Sequence, residues 1–430
     1  MRLKSESNPP TAQTAEHMRS NAGIRRTLRG RRVLMLVENN PYPQDPRVRR
    51  EAMVLVDAEC QVTVIAPARR GQPWRESVNG VRVYRYPAPP LANGFWGYLW
   101  RYGYSTAAIL ILSLLVLFRE GFDVIHAANP PDTLVLVAAL YKLLGTPFVY
   151  DHHDLAPEMY CACFGSTGSR VVYYALTTLE RLSCRLADHV IATNQSYKAV
   201  EMQRCGVPPE RITIVRNGPE LNGRQVVAPV PALRGKGKAI IAYVGVMGIH
   251  DGVDYLLRAL YRLVHDLGRT DFFCLLVGGR GGAEASLRSL TTQLGLDAHV
   301  QFTGWIQDTS LVRRYISTAD ICVVPDPSNA YNDRSTMIKV TEYMAQGKAI
   351  VAFDLPEHRI TAQEAATYVR PNDELEFARE LAQLMDDPAR RQRMGEFGRL
   401  RIETELAWCY SAPKLLEVYN TLLSAQDRKR

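Results

Sequence analysis

The chain has 430 residues, 47% hydrophobic and 22% charged, with 29 Gly and 25 Pro, which excludes a mainly disordered, collagen-like or multi-spanning protein. That length exceeds one ordinary core and predicts two domains, or three small ones. Formal net charge is +8, and residues 1–32 carry most of it, since Arg2, Lys4, Arg19, Arg25, Arg26, Arg29, Arg31 and Arg32 face only Glu6 and Glu16.

Residues 1–32 are rich in Ser, Thr, Asn and Gln, and are expected to form a disordered basic arm. Such an arm suits an anionic membrane or nucleic acid, and equally a solvated tail without a specific role. VLMLV (33–37) then reads as a buried strand, followed by a helix from Pro46 to about Ala58. Further strands are expected at 61–66, 81–86, 122–127, 147–154, 188–193 and 211–215, with helices near 95–119, 132–144 and 169–187. Strands rich in β-branched residues alternating with helices mean a parallel, doubly wound sheet.

Residues 219–238 break the pattern with prolines and glycines and read as a linker between domains. The alternation restarts with strands at 239–245, 272–279, 299–304, 319–325 and 349–354 and helices at 252–267, 283–295, 309–318 and 335–346. The expected organisation is a first domain over 33–218, a second over 239–400, and a C-terminal helix within 401–430 that packs back on the first. No apolar run reaches the ~18–20 residues of a bilayer span; the nearest is TAAILILSLLVLF (106–118). Eight scattered cysteines and an N-terminus without an apolar leader suit reduced thiols in a cytoplasmic protein.

Two similar α/β halves place a ligand between the carboxyl ends of their sheets. Asp45-Pro46 is a strong helix start, and Arg47 beside it is a candidate for gripping a phosphate there, the alternative being pairing with Glu51. His126 closes one strand, and Asp151-His152-His153-Asp154 closes the next. Imidazole at a strand end suits polar contact and proton transfer, so His126, His153 and Asp154 are candidate catalytic residues. His152 and His153 are adjacent and point to opposite faces, so one metal site holding both is not expected. YVGVMGIHDG (243–252) is a strand-to-helix turn able to bring backbone N–H groups, around Gly245 and Gly248, against a phosphate. Ser335 is expected to cap a helix running to about Gln346. On it Lys339 and Glu342 share a face, as a surface ion pair or as contacts to a phosphate and a ribose diol. Phe95, Trp96, Tyr98, Trp100, Tyr102 and Tyr104 precede the apolar 106–118 segment. They suit a membrane interface, with the aromatic segment making the contact, or burial between sheet and neighbours.

In order along the chain, DPRVRREA, DVIHAANPPD, DHHDLAPE, IATNQS, IVRNGPE, YVGVMGIHDGVDYLLRAL, FTGWI, ADICVVP and KVTEYMAQGKAIVAFDLPE resemble the family-4 retaining glycosyltransferases of GT-B fold. The resemblance covers nearly everything after residue 32. It implies an α/β protein of two doubly wound, Rossmann-like parallel-sheet domains facing across a cleft, the first holding an acceptor and the second a nucleotide diphosphate-sugar. It also implies an enzyme transferring a hexosyl or N-acetylhexosaminyl group with retention, in polysaccharide or glycolipid assembly. Glu342 would bind the ribose, backbone near Trp305 and Ile306 the base, and Lys339, Asp333, Arg334, Gly245, Gly248 and Asn217 the rest of the donor. His126 and His153 match the acceptor-side histidine.

The expected partners are a UDP- or GDP-type donor, a lipid-linked or glycan acceptor and an anionic membrane surface, with no nucleic acid. No Asp-x-Asp occurs, so no metal or other cofactor is expected. The expected location is the cytoplasm, either free or peripheral at the cytoplasmic face of the membrane. Three departures stand out. Arg334 occupies the slot of a sugar-binding Glu, and Val246 and Asp251 occupy those of the diphosphate-binding cations. Pro43-Gln44-Asp45-Pro46 replaces a Gly-Gly turn. Lys339, Arg334 and Arg47 are then left to supply positive charge. The competing readings are a nucleotide-sugar epimerase or hydrolase on this fold, and a non-catalytic partner subunit that binds nucleotide.

Overall fold

The computed structural model describes residues 23–89, 94–221, 226–234, 239–279 and 282–428. Residues 1–22 of the expected arm, and 222–225 and 235–238 of the expected linker, lie outside these. The described part of the expected arm, residues 23–32, is folded against the first domain. Residues 23–28 are helical, with Ile24 and Leu28 buried in the first domain's core and Cys60 Sγ 3.4 Å from the Leu28 carbonyl. Two apolar residues four apart are enough to fix that turn, against the sign of its charge.

The first sheet has eight strands in the order β3-β4-β2-β1-β5-β6-β7-β8. These are β1 Arg32–Leu36, β2 Gln61–Ala68, β3 Arg75–Val78, β4 Val81–Pro87, β5 Val124–Ala128, β6 Phe148–His152, β7 His189–Ala192 and β8 Ile212–Ile214. All pairings are parallel except β3 with β4. The β3 hairpin arm and the helix Ala156–Phe164 are additions to the sequence reading. Helix α1 (Pro46–Asp57) follows β1, and its first turn is closed by Asp45 Oδ1, which accepts from the Arg47 and Val48 N–H groups at 3.0 and 2.9 Å. Helices α2 (Gly94–Arg119) and α3 (Leu134–Leu143) lie on the other face.

The second sheet has six strands, β9 Ala239–Gly245, β10 Phe272–Gly278, β11 Val300–Gly304, β12 Ile321–Val324, β13 Ala349–Phe353 and β14 Ala366–Val369. Their order is β11-β10-β9-β12-β13-β14, all parallel. Counted from β9 this is the 3-2-1-4-5-6 order whose reversal opens a crevice at the carboxyl ends of its first and fourth strands. The loops bearing Gly245 and Asp326 leave the sheet there. The fold is therefore GT-B, two doubly wound parallel sheets.

The last helix, Trp408–Asp427, returns to the first domain, where Leu415, Val418, Tyr419 and Leu423 join the core formed by Val33, Val62 and Leu55. Ile402, Leu406 and Ala407 still belong to the second domain's core, so the chain crosses between Ala407 and Trp408. The two crossing segments touch at Gly218, where a Cβ would stand 1.9 Å from the Leu406 carbonyl oxygen.

Candidate functional site

In the first domain the expected site residues fall into one buried network. Arg47 lies at 3% exposure and points inward. Its guanidinium grips Asp151 at 2.6 and 3.0 Å, and donates to the Val215 carbonyl at 2.8 Å and Asn217 Oδ1 at 3.0 Å. Glu51 is 3.2 Å away. Arg47 is thus consumed by internal partners, which corrects the reading of Arg47 as an anion grip, and Asn217 Oδ1 is committed to it. Burial alone would raise the Asp151 pKa, but Arg47, His153 and His126 hold it well below the ordinary range. Burial and the Asp151 charge push Glu51 well above its ordinary value.

His126 is also corrected. It sits within β5, opposite Met35 and Val149, and is fully buried rather than at the strand's end. Its Nδ1 pairs with the Tyr419 hydroxyl at 2.7 Å, and its Nε2 lies 3.4 Å from both Glu51 and Asp151. Burial lowers its pKa, so a neutral imidazole ties the sheet to the last helix. His153 remains partly exposed at the cleft, its Nε2 bonded to Asp151 Oδ2. Arg47, Asp151 and His153 therefore form a chain in which a clamped carboxylate fixes one imidazole nitrogen. Ligand atoms of Glu51, Asp151 and His153 come within 4.8 Å of one another, but the Arg47 guanidinium, between the two carboxylates, already supplies the cation.

In the second domain the helix after β12 starts later than expected. It runs Ile338–Ala345, and Ser335 donates to the Tyr331 carbonyl at 2.8 Å instead of capping it. Lys339 points inward. Its ammonium lies 2.9 Å from Asp326, 3.0 Å from Asp251 and 3.3 Å from the Tyr243 hydroxyl, 4.7 Å over that ring. Burial would lower its pKa, but Asp326, Tyr243 and Asp251 raise it well above the ordinary value. Two carboxylates on one ammonium leave no charge for a phosphate, which corrects the reading of Lys339 as a phosphate contact. Asp251 also accepts the Gly248 N–H at 2.7 Å, so that donor of the glycine turn is already satisfied. Gly252 beside it has φ 66°, and a Cβ there would meet the Pro325 carbonyl oxygen at 1.9 Å. Gly245 carries no such freedom: a Cβ would stand 2.3 Å from the Tyr243 hydroxyl.

Glu342, three residues on, is different. Burial lifts its pKa above the ordinary value, while Arg50 of the first domain and Arg313 pull it back. Among the described residues its carboxylate has no hydrogen-bond or ion-pair partner. Trp305 is half exposed after β11, with Ile306 packed on the second core. Asp333 accepts from Ser328 Oγ at 3.2 Å, and its other oxygen is buried without a partner among the described residues.

The two halves meet around residues 331–336. The Tyr331 hydroxyl donates to Asp154 at 2.7 Å, and Tyr197 and Ser335 hydroxyls lie 3.1 Å apart. Asn194 Nδ2 donates to the Arg334 carbonyl at 2.8 Å and to Thr336 Oγ1 at 2.9 Å. The Arg334 guanidinium itself donates only to the Ala330 carbonyl, at 2.7 Å, among the described residues. Asp154 thus bridges the domains, and Arg334 is the cation of this segment left without a carboxylate. Asn194, Tyr197 and Tyr331 are not singled out by the sequence reading, although IATNQS contains Asn194, whose side chain caps the turn after a strand.

Two family models match this chain. Residues 44–218 match a glycosyl transferase 4-like domain and residues 238–387 match glycosyl transferases group 1. An uncharacterised glycosyltransferase of Methanocaldococcus jannaschii is 21% identical over 83% of this chain and 88% of its own length. Among solved structures, sucrose-phosphate synthase from Thermosynechococcus elongatus superposes with TM-score 0.76 at 20% identity, over 92% of this chain and all of that one. The Anabaena protein HepE, solved with UDP and glucose, superposes with TM-score 0.68 at 16% identity, over 90% of this chain and 99% of that one.

Proposed function

The chain belongs to the glycosyltransferases of GT-B fold that use nucleotide sugars, and from that premise we propose that it moves a hexosyl or N-acetylhexosaminyl group, with retention, from a UDP- or GDP-type donor to a lipid-linked or glycan acceptor. The product would enter polysaccharide or glycolipid assembly at the cytoplasmic face of a membrane. Transfer needs no cofactor in this reading. The epimerase, hydrolase and non-catalytic alternatives are not favoured, because both halves match transferase models.

The observation that carries the proposal is Glu342. Its carboxylate is half-buried, has no side-chain partner among the described residues and is not sealed from solvent, so both oxygens can accept hydrogen bonds from a ligand. A ribose diol offers two O–H donors to its two oxygens. The donor then lies along the carboxyl ends of β9 and β12, its base by Trp305. As the diphosphate leaves, charge grows on its bridging oxygen, and fixed donors aimed there lower the barrier. Arg334, without a carboxylate partner among the described residues, is the candidate for that role. His153, held by Asp151 on the acceptor side, orients a sugar hydroxyl, and attack follows on the face the diphosphate leaves. The HepE complex with UDP and glucose supports the choice of donor class.

The test is a panel of nucleotide sugars, offered with a crude lipid and glycan acceptor pool and read by mass spectrometry. Proton couplings of the purified product give its anomeric configuration. A product of the donor's own configuration is expected. Inversion would reject retention, and donor breakdown without any glycosylated product would reject transfer.

A further inference from the structure

We propose that the outer face of α2 and α3 is a docking surface for an anionic phospholipid bilayer, centred on the C-terminal ends of the two helices. The argument for the surface stands on its own residues and does not depend on the proposed acceptor.

Helix α2 is long and apolar enough, over Gly97–Arg119, to cross a membrane by length and composition, yet only 22% of its most apolar stretch is buried. Its inner side is committed to the first sheet. Ile109 and Val116 lie in that core, the Tyr104 ring meets Tyr86, and Ser113 bonds the Tyr141 hydroxyl of α3 at 2.7 Å. A helix so anchored lies on a membrane instead of passing through it. Its other side is apolar and uncovered: Trp100, Ile111 and Phe118 follow one another at helical spacing, at 60%, 66% and 84% exposure. On α3 and just past it Leu136, Leu140, Leu143 and Leu144 continue the surface, the last two at 86% and 69%.

The bond between Ser113 and Tyr141 fixes the level of one helix against the other. Phe118, five residues on, and Leu144, three residues on, therefore lie at the same end. The most exposed bulky apolar side chains of the two helices form one foot there. A foot of that kind on a lone domain is unusual for a surface that faces only water.

Charge chooses the occupant. Arg119 ends α2, whereas Lys142, in the last turn of α3, is paired with Asp188 at 2.6 Å and adds no free charge. The same edge of the sheet carries Arg32, which donates to the Glu120 carbonyl at 3.0 Å but is paired with Asp123 at 2.8 Å, and Gln426, 3.5 Å from the Gly145 carbonyl, just ahead of the cationic Arg428. Exposed Arg25 and Arg26, without an ion-pair partner among the described residues, precede β1 at that edge, while Arg29 there is paired with Glu59 at 2.9 Å. Apolar side chains bordered by arginines fit acyl chains beneath anionic headgroups. The contact thus includes the Ile-Leu-Phe end of α2, where the sequence reading had assigned it to the aromatic segment. The Phe95 and Trp96 side chains of that segment lie outside the described residues.

The full chain should co-sediment with phosphatidylcholine vesicles containing phosphatidylglycerol, and less so without it or in about 0.5 M salt. Phe118→Ser with Leu143→Ser and Leu144→Ser should weaken vesicle binding roughly tenfold or more, with an unchanged melting temperature and unchanged binding of UDP or GDP by calorimetry. Equal sedimentation of variant and parent, or none by the parent, would overturn the proposal. So would a parent that forms dimers through this face, abolished by the variant, without binding vesicles. Nucleotide binding read on the same preparations separates failure of the docking surface from failure of the donor site.

Discussion

Lys339 Nζ and Asp251 Oδ1 lie 3.0 Å apart, joining the helix that carries Glu342 to the glycine turn after β9. Asp251 stands where the resembling family carries a cation for the diphosphate, and Lys339 brings the opposite charge from across the crevice. The pair, with Asp326, is an internal brace between β9, β12 and the helix from Ile338.

Lys339→Met should therefore act on the fold first. Removing the ammonium leaves Asp251 and Asp326 buried and uncompensated, and breaking a buried ion pair from one side costs about 3–5 kcal/mol. Urea unfolding should show that loss without any nucleotide present. A variant of unchanged stability would mean that the brace does not hold the domain.

Arg334→Ala should do the reverse. Among the described residues its guanidinium has one internal acceptor, the Ala330 carbonyl, so stability should change by less than about 0.5 kcal/mol. Affinity for a nucleoside diphosphate should fall by roughly tenfold or more, the worth of a charge-assisted bond, and the salt dependence of binding should flatten. Retained affinity would move the phosphate contact elsewhere.

His152 makes stability pH-dependent on the alkaline side. It is fully buried, with Nδ1 3.0 Å from Glu201 and Nε2 3.5 Å from Glu180. Burial would lower its pKa, but the two carboxylates raise it well above the ordinary value. A raised histidine contributes stability that is complete below its unfolded pKa of ~6.5 and is lost as pH rises through the folded value. His152→Gln should lower the melting temperature at neutral pH and flatten its decline at alkaline pH. An equal decline in both proteins would assign the alkaline loss to another group.

Most of the architecture is legible because both sheets are covered on both faces. A covered strand such as AIIAYVG (239–245) must be apolar throughout and cannot be mistaken for a solvated one. The site is less legible, because its pairs are distant. His126 and Tyr419 are 293 positions apart, and Asp251 and Lys339 are 88 apart, so no local window shows that the first His is buried or that the Lys is neutralised. Arg47 misleads for a related reason. The cap at Asp45 is local and readable, but the Asp151 that captures its side chain comes from another strand. Ser335 carries a capping residue's chemistry and spends it on Tyr331 and Tyr197. The role of Glu342 is visible only through the resemblance, since helical spacing alone allows a surface pair with Lys339.

Calorimetric titration of UDP and GDP into the parent protein and into Glu342→Gln tests the donor site most directly. The parent should bind at least one of them, and the variant should bind it roughly tenfold or more weakly, having lost a charged acceptor for the ribose hydroxyls. Burial lifts the Glu342 carboxyl above the ordinary range, and the ionised form is the acceptor. Parent affinity should therefore climb as pH rises through that raised value, and the variant's affinity should not. Equal affinities at every pH, or a parent that binds neither nucleotide, would contradict the account.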